Sequence, residues 1–280
     1  MPRDDSPGAR APAALRVLTR RKIVLVGLVL VVVVATVGAL ASVIAGNPTR
    51  MEVSARLRAP SAPHWFGTDD LGRDVFARVL HGARVSLAVG LLAAAVAGGI
   101  GVIVGGIAGL VGGAVDATLM RLTDALLAVP RLLLLMIAGA ILSPSVSLLI
   151  VLVGSVGWME TARVARSECL SLSTREFVAA AHATGARAPR ILGRHLLPNA
   201  AGPVLVAITL AVARSILLES TLTFFGVGVQ PPAASWGSML YQAQSTVSTE
   251  PWLALFPGAF IFATTLSVNV VGDELARPKL

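Results

Sequence analysis

Six long apolar runs, separated by polar segments, are the dominant pattern of this chain. Each run is continuous, whereas a membrane β-barrel would alternate apolar and polar residues, so the runs indicate helices. About 20 helical residues cross the roughly 30 Å of membrane hydrocarbon. We predict spans over residues 23–46, 85–111, from about 130 to 142, 146–158, 200–225 and 252–271.

Composition supports an all-α, polytopic membrane protein. Hydrophobic residues make up 55% of the 280 positions and charged residues only 14%, and the mean hydropathy is +0.79. A soluble globule is rarely so apolar. The net charge of +8 comes from basic residues that flank the apolar runs. They therefore indicate membrane orientation and contact with lipid headgroups, not nucleic-acid binding. The single cysteine, Cys169, excludes a disulfide within the chain and a cysteine-based metal site.

Six spans place both chain ends on the same side of the membrane. Arg20, Arg21 and Lys22, just before the first span, favour the cytoplasm for that side. The first apolar run is much longer than that of a signal peptide, so we expect it to be retained. The predicted divisions are a disordered cytoplasmic tail over 1–22, the first span over 23–46, an extracytoplasmic segment over 47–84, a transmembrane core over 85–271 and a cytoplasmic tail over 272–280.

The segment 47–84 conflicts with this orientation. It would lie outside the cell, yet basic residues normally concentrate on the cytoplasmic side. Within it, residues 70–81 predict an amphipathic helix capped by Asp69 or Asp70. We retain the six-span topology because the number of spans is the clearer signal. The arginines of the segment are Arg50, Arg56, Arg58, Arg73, Arg78 and Arg84.

Residues 173–199 form the longest polar-bearing segment in the second half of the chain. Ser173 and Glu176 have the spacing of a capping box, and Gly185 can take the left-handed conformation that ends a helix. Pro189 fits the first turn of a second short helix, and Pro198 predicts a stop before the next span. The segment therefore predicts a bent pair of helices, within a cytoplasmic loop over 163–199, that forms a docking surface.

Two ionisable residues, Arg214 and Glu219, fall inside the fifth span. A charge within the membrane is costly unless it is paired or faces water. The first interpretation is a gate or a group that faces the substrate. The second, which we favour, is a structural ion pair or a hydrogen bond to the loop after Phe225.

Gly101, Gly105, Gly109 and Gly113 recur every four residues and share one face of the second predicted helix. Small residues on one face let another helix approach closely. The stripe predicts either packing within the chain or contact with a partner subunit, and its pattern does not separate the two.

Familiar catalytic motifs are missing from the sequence. There is no GxxxxGK[ST] phosphate-binding loop, no HExxH or comparable metal-ligand spacing and no GxSxG nucleophile turn. We therefore predict a non-catalytic chain with no metal site and no bound cofactor.

The polar segment resembles the EAA loop of permease subunits from ABC-type importers. VAAAHATG and ILGRHLLPN follow its pattern, with matches at Ala180, Ala181, Gly185, Leu197 and Pro198. Ala179 stands where the family has glutamate. Residues 66–87, 219–240 and 251–258 resemble the second permease of the dipeptide, oligopeptide and nickel group, and the whole resemblance covers about residues 15–277.

The resemblance implies a machine of several subunits in the bacterial cytoplasmic membrane. The expected partners are a second permease, two cytoplasmic ATPases that use ATP and Mg²⁺, an extracytoplasmic binding protein and the lipid bilayer. Peptides are the expected substrate, with nickel or another small solute as the alternative. A secondary transporter or channel is a different class, and it would work without an ATPase. The residues implied in ATPase coupling are Glu176, Ala179, Ala180, Ala181, Gly185, Leu197 and Pro198.

Overall fold

The structure, a computed structural model, describes residues 13–142 and 145–276, without the side chains of residues 13–21 and His182. Within these ranges it is helical, and its one β-type contact is an isolated bridge between Thr68 and Asp74. The α-helices are α1 Ala13–Ala39, α2 Ala41–Ile44, α3 Val75–Val111, α4 Gly113–Ala128, α5 Arg131–Ile141, α6 Val146–Ser173, α7 Glu176–Ala183, α8 Ala188–Ile191, α9 Leu197–Phe224, α10 Trp236–Ala243 and α11 Trp252–Leu275.

The predicted all-α, polytopic fold is confirmed. Within residues 13–142 and 145–276, five helical stretches are long and apolar enough to cross a membrane, and the pair α4 and α5 makes a sixth span if the two are taken together. These two helices meet at an angle of 79°. Pro130, which cannot donate a backbone hydrogen bond and disfavours helical geometry in the residue before it, lies at the break. The span predicted from about residue 130 to 142 corresponds to α5, and we did not expect α4 to belong to the same span.

Several helices extend beyond the predicted spans. α3 begins at Val75 and not near residue 85, and α6 continues to Ser173 and not only to residue 158. α1 includes residues 13–22, which we predicted to be disordered; residues 1–12 and 277–280 of the two predicted tails lie outside the described ranges. Hydropathy marks the part of a helix that matches the membrane core, whereas the helix itself continues as long as its backbone bonds and packing allow.

The glycine stripe packs α3 against α6 of the same chain. A Cβ on Gly101 would lie 2.7 Å from the Trp158 carbonyl oxygen, and one on Gly109 would lie 2.8 Å from the Arg166 carbonyl oxygen. A Cβ on Gly105, between them, would collide with the Ala162 carbonyl oxygen. For these three glycines the intrachain alternative is correct, because their surface is already covered.

Gly113 does not belong to that interface. It lies beyond the end of α3 with a positive φ of 56°, and no atom stands within 4 Å of where its Cβ would be. A stripe every four residues continues only while the helix continues, and α3 ends at Val111. Contact of Gly113 with a second permease remains a prediction.

The helix predicted over residues 70–81 is not a separate element, because it begins at Val75 as the first turns of α3. Asp74, and not Asp69 or Asp70, caps α3 by accepting a hydrogen bond from the Ala77 N–H at 2.9 Å. Asp69 is instead buried, with ion-pair distances of 2.6 Å to Arg73 and 3.5 Å to Arg78.

Most arginines of the segment 47–84 are held by the protein itself, which accounts for the conflict with the orientation rule. Arg73 and Arg78 each donate a hydrogen bond of 3.0 Å to Oε1 of Gln242. Arg56 and Arg58 donate to the carbonyl oxygens of Asp70 and Ser54, and Arg84 donates to the carbonyl oxygen of Gly38. Their positive charges have a structural use, so they are weak evidence about sidedness.

Candidate functional site

The first helix of the polar segment, α7, starts in a way that we did not predict. Ser173 is the last residue of α6, and its hydroxyl donates to the Leu170 carbonyl oxygen at 2.7 Å. The predicted capping box with Glu176 is therefore wrong. The carbonyl of Arg175 accepts the first bonds of α7, from the N–H groups of Val178 and Ala179. Because α6 extends so far, Ser173 is already committed to that helix and cannot cap the next.

The predicted end of α7 is confirmed. Gly185 has a φ of 78°, in the left-handed region that glycine adopts without steric cost. The Ala186 N–H reaches back to the Ala181 carbonyl oxygen at 3.0 Å, and the Thr184 N–H bonds the Ala180 carbonyl oxygen at 3.1 Å. The first of these is the long-range bond of a Schellman motif. The chain thus turns sharply after α7 and enters α8 with Pro189 in its first turn, as predicted.

One face of α7 is anchored and the other is open. Val178 and Ala181 are buried against a cluster formed by Cys169 of α6 with Ile191 and Leu196. Glu176, Phe177, Ala179 and Ala180 are exposed. Phe177 leaves 41% of its surface uncovered and is the large aromatic side chain on this face. We call residues 174–191 the coupling segment.

The open face borders a groove of about 580 Å³. Its lining includes Phe177, Ala180 and Gly185 together with Arg190, Arg194 and His195. The groove thus combines apolar side chains with two arginines. That combination suits a partner that inserts a side chain and presents acidic groups around it.

Leu197 and Pro198 do not interrupt the helix before the next span, so the predicted stop is wrong. The residues Leu192–Leu196 form a π-helical turn, and the Leu197 N–H bonds the Leu192 carbonyl oxygen. α8, this turn and α9 make one helical stretch from Ala188 to Phe224. Pro198 falls in the first turn of α9, and the wider π turn before it accommodates the residue that cannot donate a backbone hydrogen bond. Leu197 is partly buried and Pro198 is exposed.

Glu219 is fully buried and is held by hydroxyl groups. It accepts hydrogen bonds from Ser86 at 3.0 Å, from Thr223 at 3.0 Å and from Ser220 at 3.3 Å. These distances are typical of good hydrogen bonds except the last, which is long. Arg214 is not among its partners. Among the described residues Glu219 has no cationic partner, so the ion-pair version of our structural interpretation is wrong.

Glu219 organises the loop that follows α9. The Thr223 hydroxyl that donates to Glu219 also accepts from the Val229 N–H at 3.1 Å. The Ser86 hydroxyl accepts from the Trp236 N–H at 3.3 Å, and the indole of Trp236 donates to the Val79 carbonyl oxygen at 3.0 Å. The hydrogen-bond version of the interpretation is supported, because one carboxyl group connects α3, α9 and the loop 225–235.

Arg214 pairs with a residue that the sequence analysis did not select. One oxygen of the Glu160 carboxylate contacts Arg214, and the other accepts a hydrogen bond of 2.8 Å from Arg131. We missed Glu160 because the predicted fourth span ended at residue 158, whereas it lies near the middle of α6. Arg131, the first residue of α5, was not selected either, although it lies in the predicted third span.

The same face of α6 carries two further ion pairs, one helical turn apart. Arg163 pairs with Asp124, and Arg166 pairs with Asp116, both on α4. We interpreted these arginines as topology anchors, and the structure gives them a second role. They fix the first half of the broken span against α6.

Comparison with known proteins supplies the family. Residues 101–277 match the family described as the binding-protein-dependent transport system inner membrane component. The chain belongs to this family. The match includes α6, the coupling segment, α9 and α11.

Individual relatives extend the match over most of the chain. The oligopeptide transport system permease protein OppC of Bacillus subtilis is 40% identical over 218 residues, covering 78% of this chain and 72% of its own length. The dipeptide transport system permease protein DppC of the same species is 40% identical over 266 residues, covering 94% and 82%. A DppC protein of Alkalihalophilus pseudofirmus is 37% identical over 277 residues, covering 98% and 91%. The chain is thus a permease subunit of an ABC importer, a transport component and not a catalytic one.

Proposed function

We propose that this chain forms half of the membrane pathway of an ATP-driven importer of di- or oligopeptides in the bacterial cytoplasmic membrane. Its partners are a second permease subunit, two cytoplasmic ATPase subunits that use ATP and Mg²⁺, an extracytoplasmic binding protein and the lipid bilayer. The relatives named for oligopeptide and dipeptide transport support the substrate class. The observation that carries the proposal is the open face of the coupling segment.

The coupling segment is built to pass a movement of a bound partner on to the long helices. Phe177 and Ala180 are exposed next to a positive groove, which supports an ATPase as the occupant. On the opposite face, Val178 and Ala181 are packed against Cys169 of α6. A force applied to α7 therefore reaches α6 directly. Packed interfaces move as rigid units, so displacement of α7 shifts the long helices and not only the loop.

Ala179, which stands where the family has glutamate, fits this arrangement. Ala179 is exposed, and an alanine there offers a partner only backbone and methyl contacts. Glu176, one turn earlier on the helix, is also exposed and is available for a polar contact. Recognition of the ATPase then rests on the shape of the helix from Phe177 to Gly185 more than on one charge.

Purification of the chain together with its partner subunits tests this function. The complete complex in proteoliposomes should hydrolyse ATP faster when the loaded binding protein is added, and it should accumulate labelled trialanine. Nickel uptake in the same vesicles measures the alternative substrate. Uptake that persists without any ATPase subunit would instead identify a secondary transporter or channel, and the proposal would then be wrong.

A further inference from the structure

A concavity of about 630 Å³ opens between α6, α9 and the end of α11. Its lining is largely apolar, and its charged groups gather at one end, where Glu160 and Arg214 meet. This is the pattern of a ligand site, in which an apolar wall provides contact and a few polar groups fix the orientation. The residues of α9 that line it are Gly202, Pro203, Val206, Ala207, Leu210 and Arg214.

The concavity follows one face of α9 for some distance. From Gly202 to Arg214 is about 12 residues, or roughly 18 Å at about 1.5 Å per residue. An extended peptide spans at most about 3.6 Å per residue, so a chain of about five residues fits along it. Leu275 and Ala276, at the end of α11, also line the concavity.

The cluster at this end carries an excess of positive charge. Arg131 and Arg214 share one acidic partner among the described residues, Glu160, and each takes one oxygen of its carboxylate. Two guanidinium groups and one carboxylate leave one positive charge. A guanidinium has five N–H donors, so one contact to Glu160 leaves Arg214 with donors to spare. Its side chain is 43% exposed, on the wall of the concavity.

The position of the cluster makes an uncompensated charge expensive. Measured from the helix ends that lie away from the coupling segment, Glu160 is about 14 residues into α6 and Arg214 about 10 residues into α9, or roughly 21 Å and 15 Å at about 1.5 Å per residue. Charges at such depth in a membrane mark substrate pathways when they face a cavity. An anion that enters the concavity would neutralise the cluster.

We propose that Arg214, held in place by the Glu160–Arg131 pair, binds the C-terminal carboxylate of a peptide in the concavity between α6 and α9. This inference rests on the proposed function, since it takes a peptide as the substrate. A planar guanidinium matches a carboxylate in a two-point contact, which a lysine cannot reproduce. Glu160 and Arg131 are positioning residues: they neutralise part of the charge and orient Arg214.

Equilibrium dialysis of the purified membrane complex of both permeases and both ATPases, without the extracytoplasmic binding protein, against labelled trialanine and labelled trialanine amide tests the inference. The two probes differ only in the terminal carboxylate. The wild type should bind the acid about tenfold more tightly than the amide, as expected for a hydrogen bond between charged partners. In Arg214→Gln that preference should vanish while the binding of the amide is unchanged, and Arg214→Lys should retain part of it.

A matched control is available at Arg163, on the face of α6 that also carries Glu160. Arg163→Gln also removes an arginine that pairs with an acid, Asp124, but Arg163 does not line the concavity, so the acid preference should be unaffected. The Arg214→Gln variant leaves Glu160 still paired with Arg131, so its carboxylate keeps a partner. A thermal unfolding midpoint and a subunit composition like those of the wild type show that the variant complex is folded.

Three results would overturn the inference. One is an unchanged acid preference in Arg214→Gln, and another is a wild type that binds neither probe. The third is loss of the second permease from the Arg214→Gln complex, which would show that an acidic group of that subunit fills the site. Failure of the complex to assemble with ATPases in the wild type contradicts the proposed function instead, so the two failures are distinguishable.

Discussion

The transmembrane core and the coupling segment are built on opposite principles. In the core, α3 contacts α6 through glycines with no room for a side chain, and Glu219 joins α3, α9 and the following loop through buried hydrogen bonds. In the coupling segment, α7 is held by its own backbone bonds and a few small side chains, and half of its surface is open. The packing of the first region stabilises the fold, whereas the second region exposes a surface to which a partner can bind. The same kind of substitution should therefore have different consequences in the two regions.

The largest loss of stability is expected from Gly105→Val. Its Cβ would collide with the Ala162 backbone, which cannot move without separating α3 from α6. Overpacking costs typically about 1–3 kcal/mol, and a backbone contact lies at or above the upper end. We expect little monodisperse protein in size-exclusion chromatography. Gly99→Val on the same helix has no atom within 4 Å and should behave like the wild type; equal yields of the two variants would contradict the proposed packing.

The second-largest loss of stability, roughly 2–4 kcal/mol, is expected from Glu219→Leu, because three buried hydroxyl groups lose their acceptor. The measurement is the midpoint of thermal unfolding in detergent. Glu219→Gln keeps a side-chain oxygen and nearly the same volume, so it should lower the midpoint less and retain peptide uptake. If Glu219→Gln instead unfolded like the wild type but failed to transport, Glu219 would be a gate and not a structural group.

Gly185→Val should leave the stability nearly unchanged but impair the coupling of ATP hydrolysis to uptake. A side chain at a φ of 78° costs about 1–2 kcal/mol, but the cost falls on the exposed end of α7. We expect a nearly normal unfolding midpoint, together with ATP hydrolysis that no longer drives uptake in proteoliposomes. Gly258→Val, within α11 and in open space, is the control that should remain coupled. Normal uptake by the Gly185 variant would contradict the proposal that α7 transmits movement from the ATPase to α6.

Phe177→Ala should have the smallest effect on stability, within about 0.5 kcal/mol, because the side chain is largely exposed. It should nevertheless weaken retention of the ATPase subunits several-fold in a pull-down experiment, as expected for an aromatic anchor of an interface. Phe262→Ala removes another exposed phenylalanine, on α11, and should leave retention unchanged. Equal retention by both variants would exclude Phe177 from the docking surface.

Local features of the coupling segment were predictable because their causes are local. Gly185 ends α7 and Pro189 starts α8 for reasons contained in a few neighbouring residues. The errors arose where a neighbouring element decided the outcome. Ser173 belongs to α6, and Pro198 lies in the first turn of α9, directly after a π-helical turn that lets the helix continue. In both cases continued helix packing outweighed a local signal whose free energy is about 1–3 kcal/mol.

By itself the sequence determined an all-α membrane chain, its family and the position of the coupling segment, because runs of about 20 apolar residues and short motifs are visible along the chain whichever helices pack together. Only the tertiary structure decided the partners of each charge. Arg214 and Glu219 are five residues apart on one helix, yet one pairs with Glu160 of α6 and the other with Ser86 of α3. Residues at that spacing point in different directions on a helix, so the environment of each depends on whichever helix lies opposite. That choice is made by packing over the whole chain.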